Sequence, residues 1–558
     1  MSTVLLKGAS VVNVFFDSLE KKNVLIKDDR IIGVGDYDTA DEVIDVTGKY
    51  ICPGFIDGHI HIESSMLTPR QFVKAAVPCG TSVIVADPHE IANVCGTHGI
   101  SYMLESSHSM PMRTLIALPS CVPATPHDEA GAILNAEELE PFYRRNRVIS
   151  LGEVMNYPGV VAGDEQVINK IKNAKQNNRV INGHAPLLKG KDLDAYIAAG
   201  ITDDHECSNF DEAKEKLAKG QWIMIRQGTS ARNLDALIDL FDEPYSRRCM
   251  LVTDDKHPAD LMNSGHLDAT IRRAVKLGKS VFTGIRMATL QPATYYGLKD
   301  MGAIAPGYIA NILVLDNLDD VAVSDVYFEG KLVCKNRQLL PFEGPKVDRN
   351  LERLVSNTFY INKLSKEDFI MQKEERYNHV MEILPGELLT NDYTTQIDFA
   401  KNNGIDIEKD ILKIAVCERH YNTGHIGLGF VKGFGLKKGA IASSVSHDSH
   451  NLIVVGTSEE EMAFIANVCI GMGGGLAVGS EGQVLAKLEL PIGGLMSNEE
   501  AAVVAYKNEE VRKAVHTLGA PKDIEPFMNL AFVSLPVIPH LKLTTKGLID
   551  VNKQELLK

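Results

Sequence analysis

Between about residues 52 and 300, short apolar runs alternate with amphipathic ones eight times, and few folds accommodate that pattern. The strand-like runs fall at 55–57, 82–86, 114–118, 148–151, 180–182, 200–202, 222–225 and 250–253, with helical runs at 165–176, 192–199, 211–219 and 233–239 among them. Eight strands alternating with helices over roughly 250 residues predict a closed (β/α)8 barrel of the TIM type. A doubly wound open sheet is the competitor, but the first strand-to-helix turn lacks the G-x-G-x-x-G of a dinucleotide fold.

The flanks have a different texture. Residues 3–50 hold short β segments such as Val4-Leu5-Leu6 and Asn23-Val24-Leu25-Ile26, too thin a unit to stand alone. Residues 303–335 return to that texture, so a small β-sandwich built from both flanks is expected, from 1–52 and 300–345, around a barrel of 53–299. Pro341-Phe342-Glu343-Gly344-Pro345 reads as a linker, and 346–558 as a C-terminal α/β domain. In that domain Gly471-Met472-Gly473-Gly474-Gly475 lacks the Lys-Ser/Thr of a phosphate loop and reads as a tight turn after a helix.

Metal-competent residues recur at the carboxyl ends of the barrel strands, where barrel enzymes place their active sites. His59 and His61 follow the first strand, two residues apart and so on one face of an extended chain. Glu153, His184, His205 and Asp254 follow the fourth, fifth, sixth and eighth strands. One such residue is ordinarily a hydrogen-bonded structural group. Six in register, four histidines and two carboxylates, suit two divalent cations sharing an anionic side chain. Asp255 stands beside Asp254, and spacing alone does not separate the two. Asp87 and Glu90, after the second strand, are further candidates for proton transfer, or else part of a capped turn at Asp87-Pro88. Arg226 reads equally as a substrate contact or as half of a structural ion pair.

Residues 51–61, Ile-Cys-Pro-Gly-Phe-Ile-Asp-Gly-His-Ile-His, resemble the opening signature of the amidohydrolase superfamily, and 302–311 its return into a β-sandwich. Within it, Asp87-Pro88-His89-Glu90, Gly152-Glu153-Val154-Met155-Asn156, Asn182-Gly183-His184-Ala185-Pro186, Asp203-Asp204-His205-Glu206, the run 225–233 and Val252-Thr253-Asp254-Asp255 are similar to the adenine deaminase family. That resemblance runs nearly the whole chain. It implies one cation on His59, His61 and Asp254, a second on His184 and His205, and Glu153 between them where many relatives carry a carbamylated lysine. Manganese or iron is the implied metal, with zinc the alternative. The implied reaction is hydrolysis of adenine to hypoxanthine and ammonia, as in purine salvage, by a metal-activated hydroxide attacking C6. Glu153 and Asp254 are the first candidates to move protons, Asp87 and Glu90 the second. The rival readings are a dihydropyrimidinase-like enzyme opening a cyclic amide and a non-catalytic binding protein of the same fold. His61-Ile62-Glu63 mimics the H-x-E of zinc base deaminases, but Pro78-Cys79-Gly80-Thr81-Ser82 does not supply their P-C-x-x-C.

Composition narrows the partners. A net charge of -15 argues against a nucleic-acid polymer, which needs a positive field. No apolar stretch reaches the ~18 residues of a membrane span, and no secretory signal opens the chain. Nine scattered cysteines with no C-x-x-C pair do not make a disulfide framework, so a cytoplasmic protein, a homodimer acting on a small molecule, is expected. The polar run Ser446-His447-Asp448-Ser449-His450-Asn451 lies between two apolar strands. It reads either as a solvated loop or as a segment presented to the site, and the C-terminal domain is expected to cover the barrel mouth, in its own chain or a partner's.

Overall fold

The structure, a computed structural model, describes residues 2–229, 231–385 and 388–557. Strands Phe55–Ile60, Thr81–Ala86, Arg113–Leu118, Val148–Val154 and Val180–Gly183 form one parallel ribbon, and Asp203–Asp204, Trp222–Arg226 and Cys249–Val252 a second. The ribbons close on each other. Asp254 N–H donates to the His59 carbonyl at 3.1 Å, and Thr202 N–H to the Ile181 carbonyl at 3.1 Å. Along the strands side chains alternate between inside and outside. Ile56, Val83, Val85, Leu115, Ala117, Met224, Met250 and Val252 pack as one apolar cluster, while Ile84, Ile116, Ile223 and Leu251 belong to the larger core that includes the helices.

Two expectations shift. The sixth strand is only Asp203–Asp204, displaced toward the carboxyl end from 200–202. The run 233–239 is not a helix, although a 3-10 turn follows at Ile238–Phe241. Its first residue explains this: Asn233 accepts the Arg226 N–H at 2.8 Å and donates to the carbonyls of His205 and Cys207, so the segment is tied across two strand ends.

On the flank, a four-stranded sheet uses residues 3–45, and a seven-stranded sheet joins N-terminal strands to strands from 312–339. Tyr50–Pro53 pairs antiparallel with Ile312–Asn317, so both flanks share one ladder. After the barrel, an eight-stranded mixed sheet runs between His379 and Glu489 and packs against helix Glu459–Gly471. Gly473 and Gly474 make the turn that leads from this helix into strand Gly475–Ser480. Helix Ala501–Thr517 packs between that sheet and the barrel helix Pro258–Ser264. Ser497 exchanges backbone hydrogen bonds with Met66 and Thr68, fixing the C-terminal part over the carboxyl ends of the barrel strands. All nine cysteines are free thiols, and no described helix is long and apolar enough to cross a membrane.

Candidate metal centre at the barrel mouth

Glu153 sits at the centre of the strand-end residues, and local backbone irregularities put it there. The pairing of its strand with Val180–Gly183 shifts register between Leu151 and Val154, a bulge that re-aims the side chain inside it. Gly152 is required beside it, since a Cβ there would lie 2.0 Å from the Asp87 carboxylate. Asp87 Oδ2 in turn accepts the Glu153 N–H at 3.0 Å.

The two Glu153 oxygens face different neighbours. Oε1 lies 3.3 Å from His61 Nε2 and 3.4 Å from His89 Nδ1. Oε2 lies 2.9 Å from His184 Nδ1, 3.0 Å from His205 Nε2 and 4.0 Å from His59 Nε2. Asp254 adds a second acid: its Oδ1 is 3.3 Å from His61 Nε2 and 3.7 Å from His59 Nε2. It stands in left-handed backbone, φ 58°, a conformation costly for a non-glycine residue and typical of sites where geometry is over-determined. The adjacent aspartates go different ways: Asp255 Oδ1 lies 2.5 Å from Ser64 Oγ, which lies 2.7 Å from Glu90 Oε1 on its other side.

All six candidates are therefore brought together, and all are buried. His61 Nδ1 lies 3.0 Å from the Asp87 carbonyl and donates to it, which aims Nε2 at Glu153 and Asp254. Against burial, the carboxylates of Asp254 and Glu153 hold His61, and those of Glu153 and Glu206 hold His205, well above the ordinary imidazole value. Burial, reinforced by His205 and His61, drives His59 well below its ordinary value, so that it is a neutral imidazole. Burial opposes ionisation of Glu153 and Asp254, but the imidazoles of His184, His205 and His61 hold the first well below the carboxylate range, and Arg226 with His61 does so for the second. His59 Nε2, His184 Nε2 and Asp87 Oδ1 are buried with no hydrogen-bond partner among the described residues. Imidazoles converging on ionised carboxylates, with buried polar atoms left unpartnered and no thiolate, fit divalent cations.

The structure bears on three open readings. Arg226 makes ion pairs, its guanidinium held by both oxygens of Glu206 and by Asp254 Oδ2 at 2.6 Å, and it also borders the cavity at the mouth. Neither Asp87 nor Glu90 lines the cavity at the mouth. Asp87 does not cap the following helix either; it supports Glu153, while Glu90 lies behind Ser64 and Asp255. The run 446–451 is not solvated, because every one of its residues is buried.

Sequence reasoning missed Glu206 and His89, and left His447 and Asp448 open between a solvated loop and the site. Glu206 Oε1 lies 3.2 Å from His205 Nε2 and 3.4 Å from His184 Nδ1, and its place directly after His205 was the available signal. His89 opens the helix after the second strand, its ring 4.5 Å from that of His61. The cavity these groups surround is roofed by Leu388, His447, Asp448, Phe532, Leu535 and Ile538 of the C-terminal part. The cover thus comes from the same chain.

Comparison with known proteins places the chain in a family. Residues 50–333 match the amidohydrolase family and 387–555 the adenine deaminase C-terminal domain. The chain is 44% identical to an adenine deaminase of Clostridium acetobutylicum, over 99% of this chain and 96% of that one. It is also 44% identical to an adenine deaminase of Methanothrix thermoacetophila, over 99% and 95%. A β-aspartyl dipeptidase of Fervidobacterium islandicum aligns over 61% of this chain and 99% of its own, with TM-score 0.49 and 17% identity. With its barrel and its C-terminal part both matched, and likeness sustained along nearly the full length, this chain belongs to the adenine deaminase family.

Proposed function

We propose that the protein hydrolyses adenine to hypoxanthine and ammonia with two divalent cations, manganese or iron, at the barrel mouth. The observation that carries this reading is the Glu153 carboxylate, whose Oε1 faces His61 and whose Oε2 faces His184 and His205. His59, His61 and Asp254 would hold one cation, His184 and His205 the other, with Glu153 between. Cations held there would supply a strong nucleophile at neutral pH, since they lower the pKa of water from ~16 toward ~7.

The chain's own residues then handle protons. Hydrolysis at C6 needs one proton delivered to a ring nitrogen and another to the departing amine. Glu153 and Asp254 are ionised acceptors bordering one cavity, so either can take a proton from the attacking water and return it to the base. Arg226 holds Asp254 in place, and Asp87 holds the Glu153 backbone. Met155, Leu388, Phe532, Leu535 and Ile538 enclose the site and exclude water. A non-catalytic role is disfavoured by the convergence of six buried ligand candidates on one point.

The test is ammonia release from adenine by protein loaded with manganese or iron, beside chelator-stripped protein and a panel including a dihydropyrimidine. Turnover of adenine that vanishes on stripping is expected. Protein with two bound metal equivalents that leaves adenine untouched, or that prefers the dihydropyrimidine, would refute the reading.

A further inference from the structure

The roof of the cavity is not uniformly apolar. His447 stacks face to face on Phe532, ring centroids 4.3 Å apart and planes 14° from parallel. Asp448 Oδ1 lies 3.5 Å from His447 Nδ1 and 3.7 Å from His89 Nε2, so a barrel residue and a C-terminal residue flank it. Asp448 is 1% exposed, and its Oδ2 has no hydrogen-bond partner among the described residues. Burial opposes its charge, but His89 and His447 hold it ionised, well below the carboxylate range. A buried anionic oxygen left without a donor is costly, and the cost is removed when a ligand brings one.

The chemistry of the cavity lining indicates which donor. Apolar side chains of Met155, Leu388, Leu535 and Ile538, with the Phe532 ring, suit the faces of a flat heteroaromatic ring. Asp448 borders the same cavity as Glu153 and Asp254. A purine with its C6 edge toward those acids presents its five-membered ring to another wall. In the free base that ring carries one N–H; in the nucleoside the sugar has replaced it. We propose that Asp448 Oδ2 accepts the imidazole-ring N–H of the free base, and that this contact from the C-terminal part selects adenine over adenosine. The inference rests on the adenine-hydrolase reading above and adds the residue that recognises the base.

A site built around a substrate N–H rejects an analogue lacking it by about 10⁴–10⁵-fold. Adenosine alone is an ambiguous probe, because its sugar is also bulky. An aminothiazolopyrimidine isostere of adenine, with sulfur in place of the ring N–H, removes the donor without adding a substituent. In wild type, kcat/KM for adenine should exceed that for the isostere by at least about 10³-fold. Asp448→Ala should lower kcat/KM for adenine about 10²-fold or more, chiefly through KM, and leave the isostere nearly unchanged. Asp448→Asn, which preserves shape, guards against a folding artefact and should also narrow the ratio. Metal content, measured in the same samples, should stay at the wild-type level. An unchanged ratio in a folded, metal-loaded Asp448→Ala would overturn the assignment, as would loss of metal from it, which would make Asp448 a ligand. Wild-type protein inactive on adenine at full metal loading would instead overturn the underlying reading, and this inference with it.

Discussion

Two clusters of buried polar groups lie within the same barrel, and they are finished differently. In the first, Asp203 Oδ1 accepts the Gly183 N–H at 2.6 Å, while Oδ2 accepts from Asn182 at 2.6 Å and from the Tyr295 hydroxyl. Asp57 is served likewise, its Oδ2 by Thr253 Oγ1 at 2.5 Å and its Oδ1 by two backbone N–H groups. Both oxygens of each carboxylate have donors, from their own neighbours in the fold. In the second cluster His59 Nε2, His184 Nε2, Asp87 Oδ1 and Asp448 Oδ2 have none. Buried polar atoms are nearly always paired in a stable protein, so the satisfied cluster reads as architecture and the unsatisfied one as a place kept for something else. Burial is alike in the two; what separates them is that both oxygens of Asp57 and of Asp203 have donors.

The sharpest way to break that distinction is to neutralise one carboxylate in each. Glu153→Gln removes a negative charge and a proton acceptor from the open cluster, and turnover should fall about 10³-fold or more while the fold persists. Near-wild-type turnover by a folded Glu153→Gln would end its assignment as the proton-moving, cation-sharing group. Asp203→Asn should do the reverse. An amide N–H₂ meets donors that expect an acceptor, costing about 2–3 kcal/mol of stability, visible as a lower Tm. Metal content at low temperature should be retained. If Asp203→Asn instead leaves Tm unchanged and empties the metal site, the two clusters are not distinct in kind.

A smaller effect sharpens the comparison from outside the barrel. Lys542 is fully buried, its ammonium donates to the Leu388 carbonyl at 3.0 Å, and burial pushes it down to about 7. Its unfolded value is about 10.4, so between about pH 7 and 10 the unfolded chain holds more protons than the native one. Stability from this group therefore rises with pH across that window. Lys542→Met should flatten that rise and raise stability near pH 7 by about 1–2 kcal/mol, followed by denaturant midpoints at several pH values. A slope that survives the substitution would assign it to other groups.

Much of the barrel was legible because strand-end position is a local property. His59, His61, Glu153, His184, His205 and Asp254 each follow an apolar run, and a closed barrel brings every such end to one mouth. Segment 233–239 was not legible, because its amphipathic spacing suits a helix and only the tertiary bonds of Asn233 overrule it. The roof was harder still. His447 and Asp448 are polar residues between two strands, a pattern that fits a solvated turn. Nothing local reports that Phe532 stacks on one and that His89, more than 350 positions earlier, flanks the other. Glu206 and His89 stood within motifs already noticed and were passed over because their neighbours had filled the ligand count.

The cavity divides its walls between two inherited parts: acids and imidazoles from the segment matched at 50–333, a roof from the segment matched at 387–555. Such a boundary restricts what recombination can do with either piece. A barrel transplanted onto another C-terminal partner would carry its strand-end acids and imidazoles along and leave the roof over them behind.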